Sequence, residues 1–354
     1  AGLFGIMKIY NQLPTHKIKE DTIFLHHTGK IFGVGCFAFC KEAVAKINLQ
    51  KGRKSKSGFI VLIPNIDWLN RFNVRATPQI HLILKQYWPG ELSAILEVPD
   101  TRLEHISENG KVAFRIPTDK LLREFIVKID QPIISTSVNE SGEDPIQNLD
   151  EIISRFERWF DYAILPEKIQ QNDNLSSTII EFSNSKLKLI REGSIPFSEI
   201  EISYELPQIL FVCTGNTCRS PIAEFLAKKI ISEDNLNFRA ASAGFMKVGK
   251  SISENSKSIL ASNGIDASKH KSTQLNEENL RRSWLILTMT EEHKKKILRF
   301  KPASASKVYT LSEFAGLSDD VIDPFGKNIE FYEKTFDEIN KKLKITFEKI
   351  KEER

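Results

Sequence analysis

Cys213 and Arg219 enclose Thr214, Gly215, Asn216, Thr217 and Cys218, all small or polar, and an apolar run, Ile-Leu-Phe-Val at 209–212, leads into them. A loop of this kind turns its backbone N–H groups onto one anion, and a helix starting at Ser220-Pro221 aims its positive end at the same point. The spacing suits a dianion clamped by Arg219. Cysteines at helix N-termini beside a cation have pKa values of ~3.5 to 7.5 instead of ~8.5, so the field favours the thiolate of Cys213 and makes it a nucleophile. Ser220 can hydrogen-bond the thiolate and help it leave, and Asn216 can brace the loop. For the proton donor the sequence offers Asp323, in Asp-Asp-Val-Ile-Asp-Pro-Phe-Gly, because an Asp-Pro turn presents its carboxylate on a stiff loop. One acid serves twice: it protonates the leaving group as sulfur attacks phosphorus, then takes a proton from the water that hydrolyses the phosphocysteine. Cys218 reads either as a structural thiol or as a partner for a reversible disulfide.

A second group of chemically capable residues is scattered over the first 200 positions: Thr28, Lys51-Gly-Arg53, Trp88-Pro-Gly, Phe114-Arg-Ile-Pro117 with Arg115, Ser137 and Asn139 in Ser135-Thr-Ser-Val-Asn, Ser177, and Arg191-Glu-Gly. Each alone is an ordinary turn or strand end. Together they supply cations and hydroxyl and amide donors at strand ends, which can cradle a triphosphate and a carboxylate.

The elements that must position these groups follow from periodicity. From residue 207 onward strands and helices alternate: strand 209–212, helix from Ser220, strand near 238–243, helix near 254–263, strand 284–289, helix from Glu291 and a short strand at 308–311. A final helix carries Ile339, Leu343, Phe347 and Ile350 on one stripe. This alternation predicts a parallel sheet covered on both faces, with its ligand at the carboxyl ends of the strands, where Cys213 falls. The first part mixes apolar strands at 59–63, 81–84, 93–98, 133–136, 178–182 and 187–190 with helices near 41–49 and 149–160. Residues 192–205, with Gly193 and Pro196, read as the junction. The expected domains are 7–203 and 207–354.

At 354 residues, with 41% hydrophobic and 27% charged residues, the chain can fill two cores. A net charge of +4, with acidic and basic residues interleaved, does not mark a dedicated nucleic-acid binder. No apolar run approaches the ~18 residues of a membrane span. The four cysteines, at 36, 40, 213 and 218, lack the spacing of zinc knuckles, so no resident metal is expected; free thiols fit a reducing cytoplasm. Residues 1–6 read as a remnant before a native start at Met7.

Val-Cys-Thr-Gly-Asn-Thr-Cys-Arg-Ser-Pro-Ile-Ala-Glu at 212–224, Ser-Ala-Gly at 242–244 and Asp323-Pro324 resemble the low-molecular-weight protein tyrosine phosphatase family. The resemblance implies a parallel four-stranded, flavodoxin-like domain, with Cys213 as nucleophile, Arg219 as phosphate clamp and Asp323 as general acid. Within that family, Thr217 and the Asp-Pro-Phe-Gly run are similar to bacterial protein-arginine phosphatases, where tyrosine-directed members usually carry a bulkier aliphatic residue in the loop. Phosphorylated proteins are the implied substrates, and no cofactor is implied.

The order of the N-terminal pieces resembles the threonylcarbamoyl-AMP synthases of the universal tRNA-modification pathway, a YrdC-like twisted open α/β sheet. The implied substrates are L-threonine, bicarbonate and ATP, with Mg2+ as counter-ion. Lys51 and Arg53 would lie near the phosphates, Arg115, Ser137 and Ser177 toward threonine, and Asn139 and Arg191 toward the nucleotide. Double-stranded RNA binding and tRNA-modification partners are implied as well. The family's usual Pro-Thr-Asp/Glu-Thr reads His27-Thr-Gly-Lys30 here, and the expected Lys-Pro-Leu after Arg53 reads Ser57-Gly-Phe59. The sequence therefore carries two readings: a cytoplasmic fusion of two enzymes, or a phosphatase, phosphoarginine- or phosphotyrosine-directed, attached to a degenerate nucleotide- or RNA-binding module.

Overall fold

The computed structural model describes residues 7–52, 58–74, 76–140, 142–169, 175–183, 186–246 and 248–352. Arg53 and residues 1–6 lie outside them. The chain divides into two compact units. One comprises the residues up to 77 together with 87–197; the other comprises 78–86 together with everything from Ser198 onward.

The first unit is built on a mixed sheet with strands β1 (Lys8–Tyr10), β2 (Ile23–His27), β3 (Phe32–Phe37), β4 (Ile60–Leu62), β5 (Leu92–Glu97), β6 (Lys111–Arg115), β7 (Ile133–Ser137), β8 (Tyr162–Ile164), β9 (Thr178–Ser183) and β10 (Lys186–Arg191). Their order is β1-β8-β2-β3-β7-β4-β6-β5-β9-β10. The helices of this stretch of chain are α1 (Lys41–Gln50), α2 (Pro78–Tyr87), α3 (Lys120–Ile129) and α4 (Leu149–Phe156). The caps are local: Asp119 accepts the Leu122 N–H at 2.7 Å to start α3, and Asn148 accepts that of Glu151 at 3.0 Å to start α4. Strands β2 and β3 carry His and Gly where alternation would put apolar residues. They pair because the His26 ring lies over Gly33, where an added Cβ would come within 2.5 Å of it.

The second unit holds a parallel sheet in the order β12-β11-β13-β14, from β11 (Gln208–Cys213), β12 (Arg239–Gly244), β13 (Ser283–Thr288) and β14 (Val308–Thr310). Its other helices are α5 (Phe197–Glu205), α6 (Arg219–Glu233), α7 (Glu254–Ser262), α8 (Glu277–Arg282), α9 (Glu291–Phe300), α10 (Leu311–Phe314) and α11 (Ile329–Glu352). Successive residues of β11 feed opposite cores. Ile209 and Phe211 pack with Ile222, Leu287 and Phe347 on one face; Leu210 and Val212 pack with Ile286, Ile297 and Val308 on the other. The α11 stripe Ile339, Leu343, Phe347 and Ile350 is buried.

One expected element is of the other kind. Residues 81–84, read as a strand, are the middle of α2. A four-residue apolar run fits a strand and a buried helix equally, and here Pro78 opens the helix at a position that needs no N–H. Leu82 packs against the core of the second unit, and the Gln86 amide donates to Ser203 Oγ at 2.9 Å. The expected junction at 192–205 contains α5, whose buried Glu199 accepts from Arg281 at 2.9 and 2.7 Å and from Arg282 at 3.2 Å. Burial pushes the Glu199 carboxyl up, but the two guanidinium groups more than offset this and hold it low.

Candidate active sites

Strand β11 delivers Cys213 to its carboxyl end, buried at 3% exposure. The chain must then reverse within a few residues to enter α6 at Arg219. Asn216 makes the turn, with φ of 54°, a conformation Asn tolerates better than most side chains. The turn points the Asn216 N–H back at Cys213 Sγ at 3.3 Å, and Ser220 Oγ lies 3.0 Å from the same sulfur. Two dipoles of the loop and helix therefore converge on the Cys213 sulfur.

A buried network fixes Asn216. Its amide nitrogen donates to Ser220 Oγ at 2.9 Å and Ser242 Oγ at 2.7 Å, and its side-chain oxygen accepts the Thr273 N–H at 2.8 Å. His270 Nε2 is 3.0 Å from the Asn216 carbonyl, and Ser242 in turn donates to Glu224. Gly244 lets β12 pass under the loop: an added Cβ would lie 2.8 Å from the Thr214 carbonyl and 2.9 Å from the Asn216 nitrogen.

Arg219 is buried and donates to Asp323 Oδ2 at 2.5 Å and to the Val321 carbonyl at 3.3 Å. The Asp323 side chain is 51% exposed, so the carboxylate of the Asp-Pro turn stands at the mouth of the loop, paired with Arg219. Thr217 is half-buried with Oγ1 3.7 Å from Cys218 Sγ. Cys218 also lies 3.4 Å from Ser253 Oγ and 3.5 Å from the hydroxyl of Tyr332. Burial, and then the contact with Cys218, push the Tyr332 phenol up to about 12, which keeps it a donor. Thus Cys213, Thr214, Gly215, Asn216, Thr217, Cys218, Arg219, Ser220 and Asp323 come together, although the acid is more than 100 positions from the nucleophile. Sequence reasoning gave no role to Ser242, quoted only as part of Ser-Ala-Gly, nor to His270, His293 and Tyr332. A lone His or Tyr in a loop or helix carries no signal of what it faces.

The first unit contains a cavity of about 540 Å³, within the ~300 to 1,000 Å³ of small-molecule sites. Thr28, Arg115, Ser137, Ser177 and Arg191 line it. Arg115 is 2% exposed and is held by the Gly90 carbonyl at 2.8 Å and Glu91 at 2.5 Å. Arg191 donates to the Ser177 carbonyl at 2.9 Å, and Ser177 Oγ is 2.9 Å from Ser93 Oγ. Burial, and then Arg115, lower the Arg191 pKa, the expected effect of two guanidinium groups sharing one cavity. An anion between them relieves that repulsion.

Lys51 and Asn139 are not among the lining residues. The Lys51 ammonium is fully buried and bonds to the Ser137 carbonyl at 2.6 Å and to the Asn139 carbonyl and Oδ1 at 2.8 and 2.9 Å. A buried ammonium must satisfy its three donors, and here it does so on the turn after β7. Both residues therefore shape the wall by holding Ser137, whose Oγ donates to Asn139 at 2.5 Å. Arg53 lies outside the described residues.

The family model described as low molecular weight phosphotyrosine protein phosphatase matches residues 208–354. The Sua5/YciO/YrdC model, described as telomere recombination, matches residues 16–193. A protein-arginine-phosphatase of Bacillus subtilis is 39% identical over 148 residues, 41% of this chain and 98% of that protein. A low molecular weight protein-tyrosine-phosphatase of Staphylococcus haemolyticus is 39% identical over 132 residues, 37% of this chain and 91% of that protein. Among solved structures, the low molecular weight protein tyrosine phosphatase from T. tengcongensis is 38% identical, with a TM-score of 0.40 over 40% of this chain and 99% of that one.

Proposed function

We infer that this chain, which belongs to the low-molecular-weight phosphotyrosine phosphatase family over residues 208–354 and to the Sua5/YciO/YrdC family over residues 16–193, is a bifunctional cytoplasmic protein. Its C-terminal part is a cysteine-dependent protein phosphatase that favours phosphoarginine. The observation that carries this reading is the convergence of the Asn216 N–H and Ser220 Oγ on Cys213 Sγ, beside an Arg219 already bonded to a carboxylate. That carboxylate occupies the guanidinium as a phosphoryl oxygen would.

In the first step Cys213 sulfur attacks phosphorus, an S–P bond forms, and the bond from phosphorus to the leaving nitrogen breaks as Asp323 protonates it. Arg219 and the loop N–H groups hold the non-bridging oxygens. Incoming phosphate competes with Asp323 for Arg219, which frees the acid for this role. In the second step water attacks phosphorus, gives its proton to Asp323, and the S–P bond breaks; Ser220 and the Asn216 N–H stabilise the departing thiolate. A threonine hydroxyl at 217 can accept from a guanidinium N–H, a polar contact that a phenol lacks. A B. subtilis arginine phosphatase at 39% identity is compatible with this choice, and a S. haemolyticus tyrosine phosphatase at the same identity makes phosphotyrosine the alternative. The deciding assay compares turnover of phosphoarginine and phosphotyrosine peptides, with Cys213→Ser as control; a tyrosine preference would reverse the assignment.

For the N-terminal part we propose threonylcarbamoyl-AMP synthesis from L-threonine, bicarbonate and ATP, serving tRNA modification. The cavity with paired Arg115 and Arg191 and the hydroxyls of Thr28, Ser137 and Ser177 fits a nucleotide and a carboxylate in size and charge. ATP supplies the adenylyl group, and Mg2+ would travel with its phosphates. Pyrophosphate exchange into ATP that requires both threonine and bicarbonate tests this. ATP or RNA binding without exchange would assign the unit as a binding module.

A further inference from the structure

Thr214, the residue after the nucleophile, is exposed, and the imidazole beside it, His293, is buried at 4% exposure. His293 Nε2 lies 2.8 Å from Thr214 Oγ1, and Nδ1 lies 2.8 Å from Thr290 Oγ1. Thr290 is the N-cap of α9, and its hydroxyl oxygen accepts the backbone N–H of His293 at 3.3 Å. In the tautomer that gives the Thr290 hydroxyl hydrogen an acceptor at Nδ1, the neutral ring carries its proton on Nε2. Nε2–H then donates to Thr214 Oγ1, and the hydroxyl hydrogen of Thr214 points away from His293.

We propose that His293 is a positioning residue that fixes the Thr214 hydroxyl as a hydrogen-bond donor into the anion loop, toward an oxygen of the phosphoryl group held there. The proposal rests on the phosphatase reading of this loop. Two further observations make the arrangement durable. The Phe245 ring stacks on the imidazole at 5.8 Å and 18°. Burial first, then Arg219 and Lys296, lower the His293 pKa to about 4, so at neutral pH the ring keeps one N–H and one acceptor. The Thr214 backbone is fixed independently, since its carbonyl accepts the N–H groups of Phe245 at 2.9 Å and Met246 at 3.2 Å. Loss of His293 should therefore free the hydroxyl rotor while the loop stays in place.

The test uses the full chain with His293→Ala, His293→Gln, Thr214→Val and the double variant. Turnover of a small aryl phosphate and of phosphoarginine is measured, and inorganic phosphate binding is followed by titration calorimetry. We expect His293→Ala to lower kcat about tenfold with little change in KM, the scale of one hydrogen bond to a charged group, and to weaken phosphate binding. Gln, which can donate from the same side, should restore most of the loss. Thr214→Val should match His293→Ala, and the double variant should be no worse than either. Additive losses, an unchanged kcat in His293→Ala, or no rescue by Gln would overturn the proposal. If His293→Ala fails to fold, the Gln and Val variants decide on the same criteria. A parent protein without turnover would remove the phosphatase reading, and phosphate affinity across the variants would still decide whether His293 orients Thr214.

Discussion

Arg219 and Asp323 meet at 2.5 Å, so under the proposed phosphatase reading the clamp and the acid occupy each other until phosphate arrives. Asp323→Asn should therefore divide the two roles: turnover of substrates with poor leaving groups falls by ~10² to 10⁴, while phosphate affinity, read by calorimetry, is kept or improved because a competing charge is gone. Thr217 makes a sharper claim about substrate. Thr217→Ile removes the hydroxyl and adds apolar area, and the phosphotyrosine-to-phosphoarginine ratio of kcat/KM should rise by roughly tenfold or more. An unchanged ratio would place specificity elsewhere. That Cys213, Asn216 and Arg219 come together was legible in the sequence because a Cys-x5-Arg loop keeps them within one turn of chain. The residues that fix Asn216 were not, since Ser242, Thr273 and His270 reach it from 26 to 57 positions away.

The elements under the loop matter through their backbone clearance. Strand β12 ends in Gly244, and a methyl there would meet two backbone atoms of the loop, neither of which can rotate aside. Gly244→Ala should cost about 1 to 3 kcal/mol of stability by overpacking and reduce kcat/KM more than thermal stability alone explains; equal melting and activity losses would refute a loop displacement. Of the secondary structure, the alternation of β11 to β14 with helices could be read directly, because both faces of a parallel sheet demand continuous apolar strands. Strands β2 and β3 were invisible to the same reading. Their pairing depends on His26 lying over glycines, and among the described residues neither ring nitrogen of His26 has a hydrogen-bond partner, so the apolar residues Ile23 to Leu25, Phe32 and Val34 are interrupted by a buried imidazole and glycines that argue against strands. Burial, with His27 and Arg115 nearby, lowers the His26 pKa to about 3 and keeps it neutral in that position. The α2 helix was misread for the opposite reason, an apolar run too short to show its period.

At the scale of the whole molecule, the second unit has a titratable buried post. The Lys307 ammonium donates to the carbonyls of Gln86 at 2.8 Å, Ser283 at 2.8 Å and Arg281 at 3.3 Å, and burial, then Arg281, lower its pKa from 10.5 to about 7. Between those two values the unfolded chain binds more protons than the folded one, so this residue makes stability rise with pH above about 7. Lys307→Met should flatten that rise between about pH 7 and 9, measured by thermal inactivation of the phosphatase. An identical slope in the variant would mean that Lys307 does not titrate there. The chain passes from one unit to the other at 77/78, at 86/87 and again at 197/198. Genes that simply append one enzyme to another leave a single seam at which either can be cut free, but here a helix encoded inside the first family's span supplies an acceptor and an apolar side chain to the second. A phosphatase expressed from residue 207 onward would leave Lys307 without its Gln86 acceptor, so the stretch needed to fill its hydrogen bonds begins well before its own family's span.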